Sequence, residues 1–551
     1  MEDFETGRSG SSPVVQIPDG VGWRCVAVRF RARWHITIRR SAIYNPLVRR
    51  TALAVAIVVH CLTLPLLAAT PGELRAAARM KSAHSNPQLL RRFLEAMPKG
   101  GDLHNHLSGA VYGESFLRFA ATDKLCIDTQ LLAIVARPPA DCDSKPGLVE
   151  ASKALTDATL SQQLLDAMSM RQFRPVAESG HDHFFRTFGK FSAVSSTHIG
   201  EMLTEVVSRL ARENADYLET IFGQDRGAAR QVGKKLPAGW TFESGREFVL
   251  QNGAAAIVSD SRKTLDDAEG QLRMALHCGT PVAQKGCDST VRYIYELHRG
   301  LPNEQFFAEL VIGYELASAD PRVVAVNPVM AEDGPLPMSQ FDEQMKMFAF
   351  FHQLYPKVHL TTHAGELAAG FVPPEGLQSH IRDSVLVAQA ERIGHGVDIA
   401  RERDSEGLLR EMAAKPVAVE ICLTSNDVIL GVRGKDHPLP LYLKAGVPVL
   451  LATDDPGVSR GDLTTEYTRA AQEFGLDYPT LKRIARNSLQ YSFLEGASLW
   501  ADGGKYARFA APCREAVPGG KPTAACGTFL NGSAKARAQW KLEQRFREFE
   551  H

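Results

Sequence analysis

The stretch Asp102-Leu103-His104-Asn105-His106 sets two histidines at positions i and i+2. On a β-strand, residues two apart share a face, so both imidazoles reach one ion from a single strand end. Three later stretches have the same character: Thr362-His363-Ala364-Gly365-Glu366, Ile393-Gly394-His395-Gly396 and Thr453-Asp454-Asp455-Pro456. Each follows an apolar run of strand length. Working outward from them, strands are expected over residues 101–106, 217–222, 291–297, 309–316, 358–363, 392–395, 417–423 and 447–453. Amphipathic helical patterning lies between, as over 256–276 and 341–355. Alternation of this kind predicts an α/β fold, a closed (β/α)8 TIM-type barrel. His104, His106, His363, His395 and Asp454 then all fall at C-terminal strand ends, where such barrels assemble their sites.

The rest of the chain is arranged around this barrel. Residues 71–97 predict two helices, 98–494 the barrel, and 495–551 a C-terminal extension packed on its underside. A long insertion after strand 1, residues 107–200, carries Phe184-Phe185-Arg186-Thr187-Phe188, which reads either as core or as a lid lining a pocket. Residues 1–50 form a basic extension that ends in Arg49-Arg50, and residues 51–69 are apolar and end in small residues. That run reads as an N-terminal leader, a signal peptide or an uncleaved membrane anchor, and predicts a periplasmic or extracellular protein. Cysteines beyond the leader fall into three local pairs, Cys126 with Cys142, Cys278 with Cys287 and Cys513 with Cys526, leaving Cys422 in an apolar strand. Such pairs suit disulfides in an oxidising compartment, each contributing roughly 2 to 3 kcal/mol.

Composition narrows the partner. The 551-residue chain has 63 Lys+Arg and 63 Asp+Glu, a formal net charge of zero, and 44% hydrophobic residues. It can bury a large core, and it makes no whole-chain case for nucleic acid or a membrane surface. A small molecule is the expected partner, with membrane contact only through an uncleaved leader and the oligomeric state open.

Three imidazoles and a carboxylate, His104, His106, His363 and Asp454, suit one Zn²⁺ per chain. The ion would lower the pKa of bound water from 15.7 toward about 7 and so provide a nucleophile for hydrolysis. Glu366 faces the same mouth, where burial would raise its pKa and let it donate to a ring nitrogen. His395 would contact the water, and Asp455 would accept a hydrogen bond from the substrate or support the metal. The expected fourth strand ends in Val311-Ile312-Gly313-Tyr314-Glu315, with no Lys to bridge two metals, and Gly313 would let a planar ring approach the backbone.

His104-Asn105-His106-Leu107-Ser108-Gly109-Ala110, Gly313, His363-Ala364-Gly365-Glu366, Gly394-His395-Gly396, Ser425-Asn426 and Thr453-Asp454-Asp455-Pro456 resemble the adenosine deaminases of the amidohydrolase superfamily. Met97-Pro98-Lys99-Gly100, the long first connection and the leader look more like the secreted, growth-factor-related branch. The resemblance implies zinc on His104, His106, His363 and Asp454. It also implies Glu366 protonating purine N1, His395 positioning or deprotonating the water, Asp455 bonded to N7, Gly313 near N3, and hydrolysis of adenosine to inosine and ammonia. Ser108 stands where the family has an Asp on the ribose 5′-hydroxyl, which leaves adenosine, 2′-deoxyadenosine, adenine and modified adenines as substrates. The zinc deaminase class with His-x-Glu and Pro-Cys-x-x-Cys is not matched, since Pro512-Cys513 lacks the second Cys. Two rival readings are a secreted binding protein without turnover and a metallohydrolase of other amides or esters.

Overall fold

The structure, a computed structural model, describes residues 70–551 and the backbone of Ala27–Phe30 and Arg33–Ile36. The chain divides into two units, Met1–Ala68 and Ala69–His551. In the first, the two short strands pair antiparallel. The expected leader, residues 51–69, lies outside the described residues. Among the described residues no helix is long and apolar enough to cross a membrane.

The second unit is the expected barrel. Its strands are β1 (Gly100–His106), β2 (Ala215–Phe222), β3 (Thr290–His298), β4 (Val323–Val329), β5 (His359–Ala364), β6 (Arg392–His395), β7 (Ala418–Ile421) and β8 (Val449–Leu451). They form one eight-stranded sheet in sequential order, every neighbouring pair parallel. No ladder joins β8 to β1. A single bridge closes the ring instead: Asp454 N–H donates to the His104 carbonyl at 2.8 Å and its carbonyl accepts from His106 N–H at 3.0 Å. The residue that closes the barrel is thus also a candidate ligand.

One expected strand is corrected. Residues 309–316 lie inside a helix, Asn303–Ala319, buried from Phe306 through Tyr314. This helix is pressed between the barrel and outer helices, so it is apolar all round and has no amphipathic period to betray it. The fourth strand is Val323–Val329, and it contains no Lys either. The other seven strands fall within a few residues of their expected places.

The insertion after β1 holds helix Gly113–Thr122, a three-stranded antiparallel sheet with Cys126–Asp128 in the middle, and helices Ala158–Ala167 and Gly180–Ser195. Phe116 and Phe191 stack face to face at 4.4 Å and tie the last helix to the first. The three expected disulfides are present, and Cys422 is free and buried. At the opposite end, the C-terminal helix Ala534–Glu550 meets the barrel underside: Arg545 pairs with Asp216, at the foot of β2, at 2.7 Å. The tail therefore packs where it was expected.

Candidate active site

His104 and His106 leave the end of β1 on one face, His363 leaves β5, and Asp454 follows β8. His104 Nδ1 lies 2.6 Å from Glu420 Oε2, and His363 Nδ1 lies 2.6 Å from Asn327 Oδ1. These oxygens accept, so each Nδ1 carries a proton; against burial, Asp454 and Glu420 push His104 up to about 10 when no ion is bound, and only in the neutral ring does its Nε2 turn a lone pair inward. The two Nε2 atoms stand 3.0 Å apart, and His106 Nε2 lies 3.1 Å from that of His363. Asp454 Oδ1 is 3.5 Å from His104 Nε2 and 3.3 Å from His106 Nε2. Lone pairs facing one another at such distances repel, and a cation among them turns repulsion into coordination. Tetrahedral N and O ligands on an ion at roughly 2.0–2.1 Å lie about 3.3–3.4 Å apart, so the spacing fits. His395 also brings a ring nitrogen within 4.8 Å of the His104, His363 and Asp454 donors. His106 Nε2 lies within 3.3 Å of His363 and Asp454 and falls by distance in a second group with Asp454 and Asp455.

Buried partners hold these donors in place. Glu420, on β7, also accepts from Arg392 Nε at 2.5 Å and from Thr361 Oγ1 at 2.9 Å, and Arg392 reaches Glu219 on β2 at 2.6 Å. Burial alone would push Glu420 up, but Arg392 and His104 hold it down at about 2, so it stays a carboxylate. Ser425 Oγ donates to Asp454 Oδ2 at 2.5 Å, leaving Oδ1 for the histidines. A Cβ on Gly394 would lie 2.6 Å from His104 Cε1, so that glycine makes room for the ring.

His106, His363, Glu366, Asp454 and Asp455 line one cavity of about 360 Å³. Phe184, Phe185 and Phe188 of the insertion line it while also packing in the core, so both readings of that cluster hold in part, and Val329, Met330, Ala331, Ile429, Glu296 and His298 complete the wall. Burial, reinforced by Asp454 and Glu332, pushes Glu366 well above the ordinary carboxylate range. Its Oε1 has no hydrogen-bond partner, and neither has Asp455 Oδ1. Asp455 too is pushed up, by burial and then by Asp454. Backbone strain gathers at this mouth: Met330, His395 and Asp454 have φ of 81°, 67° and 59°, in the left-handed region that costs non-glycine residues energy.

The comparisons with known proteins agree with this geometry. Residues 269–498 match the family model described as adenosine deaminase. That stretch contains every candidate site residue except those of β1 and the turn after it. Over those residues the chain is similar to the adenosine deaminases. An aminodeoxyfutalosine deaminase of Streptomyces coelicolor is 37% identical over 139 residues, 25% of this chain and 33% of that one. An adenosine deaminase of Escherichia coli is 39% identical over 137 residues, 25% of this chain and 38% of that one. The match thus spans little more than a third of these curated relatives. An adenine deaminase structure from Arthrobacter aurescens superposes with a TM-score of 0.48 at 19% identity, over 72% of this chain and 94% of that one.

Two expected substrate contacts stand elsewhere in the structure. Gly313 sits mid-helix, where a Cβ would lie 2.7 Å from Tyr295 Cδ1 and 3.1 Å from Val326 Cγ1. It serves helix-on-barrel packing, not substrate, and the true end of the fourth strand brings Met330 to the cavity instead. Ser108, half-buried in the turn after β1, does not line the cavity. Glu420, Asn327 and Glu332 went unnoticed in the sequence reading. Glu332 accepts from the backbone N–H of Gly365 and Glu366 at 3.1 and 2.8 Å and so fixes the loop that presents Glu366. The legible signal was a polar residue inside an apolar strand, as in Val417-Ala418-Val419-Glu420-Ile421.

Proposed function

We propose that this chain uses one Zn²⁺ to hydrolyse the exocyclic amine of an uncharged 6-aminopurine, adenosine, 2′-deoxyadenosine or adenine, with release of ammonia. The observation that carries the reading is one cavity that joins the His104, His106, His363 and Asp454 cluster to a buried carboxyl, Glu366, that burial pushes well above the ordinary carboxylate range. Zinc suits this mixed N and O set, and when bound it supplies an acidified water as nucleophile. Glu366 donates its proton to N1, which makes C6 electrophilic, and His395 positions the attacking water. N7 of a 9-substituted aminopurine has a lone pair and no proton, so Asp455 must donate to it as a neutral acid rather than accept. Phe184, Phe185 and Phe188 give the ring an apolar cover.

The cavity wall supports an uncharged substrate. None of the residues lining it is Lys or Arg, and its ionisable groups are three histidines and the acids Glu296, Glu366, Asp454 and Asp455. A phosphate or carboxylate on the substrate would meet several carboxyls and no Lys or Arg, with His298, pushed up against burial by Glu296 and Glu309, already paired to those acids. We also propose export to the periplasm or beyond, within the secreted, growth-factor-related branch, because residues 51–69 read as a leader and three disulfides suit an oxidising compartment.

The test is Glu366→Gln, which keeps shape and removes the acid. Turnover should fall by about 10²–10⁴-fold with zinc content unchanged. Full activity of that variant would refute the proton donor. A metal-loaded protein that releases no ammonia from any uncharged aminopurine would favour the secreted binding protein.

A further inference from the structure

His395 is buried completely. A neutral imidazole has one N–H, and which nitrogen carries it decides whether the ring donates to water or takes a proton from it. A chain of three buried hydrogen bonds running away from the site fixes that choice. It begins at the one donor whose identity is beyond doubt, the backbone N–H of Leu439, which donates to His437 Nδ1 at 3.1 Å. His437 is itself buried and neutral, its pKa lowered to about 4 by burial and then by Arg469. With Nδ1 accepting, its proton must sit on Nε2, which lies 3.0 Å from Asn426 Oδ1. That bond fixes the amide, so Asn426 Nδ2 is turned toward His395 Nδ1 at 3.0 Å and donates to it. The His395 proton is left on Nε2, which is buried and has no other partner.

We infer that His437 and Asn426 are positioning residues that lock His395 in the Nε2–H tautomer, through a hydrogen-bond chain anchored on the Leu439 backbone amide. His395 then serves as a donor that orients the attacking water and cannot serve as the base that deprotonates it. No group in the chain changes its protonation state. Neither His437 nor Asn426 lines the cavity, so the pair acts on the reaction through His395 alone. The assignment of the tautomer stands on hydrogen-bond geometry, and only its effect on rate rests on the deaminase reading.

The experiment is nitrogen NMR of the zinc-loaded full chain labelled at histidine, with His395→Gln and His437→Gln to assign the signals. His395 should show a protonated Nε2 and an unprotonated Nδ1, and His437 should show the same pattern. Asn426→Asp offers only acceptors, so it should invert His395 to Nδ1–H. It should lower kcat by about 10²–10⁴-fold while KM and zinc content hold. His437→Leu removes the anchor of the amide and should lower kcat by about 10–100-fold, whereas His437→Gln, which keeps an N–H at the Nε2 position, should restore most of it. A proton on Nδ1 of His395 in the wild-type protein overturns the inference whatever the variants do. So does an Asn426→Asp protein whose His395 tautomer and kcat match the wild type. If the tautomers are as stated but no aminopurine is turned over, the positioning stands and the deaminase reading fails.

Discussion

Gly109→Ala is the sharpest probe of how closely the site is built. A Cβ at Gly109 would lie 1.5 Å from Asp455 Oδ1, 2.4 Å from Cγ and 2.9 Å from Cβ, against an ordinary contact of 3.4–4 Å. The three atoms run back along one side chain, so rotation of the carboxyl does not clear the methyl and Asp455 must retreat by about 2 Å. Overpacking of this kind costs roughly 1–3 kcal/mol of stability. A misplacement of about 1 Å at a positioning group costs on the order of 10²-fold in rate, so kcat should fall at least that far. Zinc content should persist, because the three atoms nearest the new methyl all belong to Asp455 and none to His104, His106, His363 or Asp454. Steady-state kinetics on a soluble aminopurine, beside metal analysis and thermal denaturation, reads all three. A variant with wild-type kcat would refute the placement of Asp455 over Gly109, and with it the N7 contact.

Met330 holds φ of 81°, so Met330→Gly should be at least as stable as Met330→Ala, reversing the usual order by about 1 kcal/mol; an alanine variant that melts higher would show that this backbone is not held. His437, lowered to about 4 from 6.5, binds a proton in the unfolded chain before it does so in the folded one. Stability should therefore be full above about pH 6.5 and fall as pH drops toward 4, by up to about 3 kcal/mol, and urea titrations should show a shallower acid loss in His437→Gln. Peptide mapping without reductant, on protein from its native host, should recover Cys126 with Cys142, Cys278 with Cys287 and Cys513 with Cys526 oxidised and Cys422 free; seven free thiols would contradict export.

Much of the barrel is legible in the sequence because four of its strands, β1, β5, β6 and β8, end at or just before a candidate site residue. The fourth strand is not, for two physical reasons. Its helix, Asn303–Ala319, is buried from Phe306 through Tyr314 and is mostly apolar there, while the strand Val323–Val329 carries Asn327 and Pro328, which read as a breaker. Length should have decided the matter, since seventeen residues uninterrupted by Pro exceed any ordinary strand. The misplaced strand carried Gly313 with it into the expected substrate contacts and hid Met330. Ligands were legible because metal chemistry allows few residue types. Their supports, Glu420, Asn327, Asn426 and His437, were not assigned these roles, because hydrogen-bond partners two shells out are set by register across strands and carry no spacing rule.

The most direct measurement is a product assay in water enriched in the heavy oxygen isotope, with zinc-loaded protein and adenosine, 2′-deoxyadenosine, adenine and AMP in parallel. Ammonia release with heavy oxygen at C6 is expected for at least one of the uncharged purines, and at least about 10²-fold lower kcat/KM for AMP, in keeping with a cavity that has no Lys or Arg for phosphate. Ammonia release confined to AMP would contradict the uncharged substrate, and no release from any of them would contradict the deaminase itself.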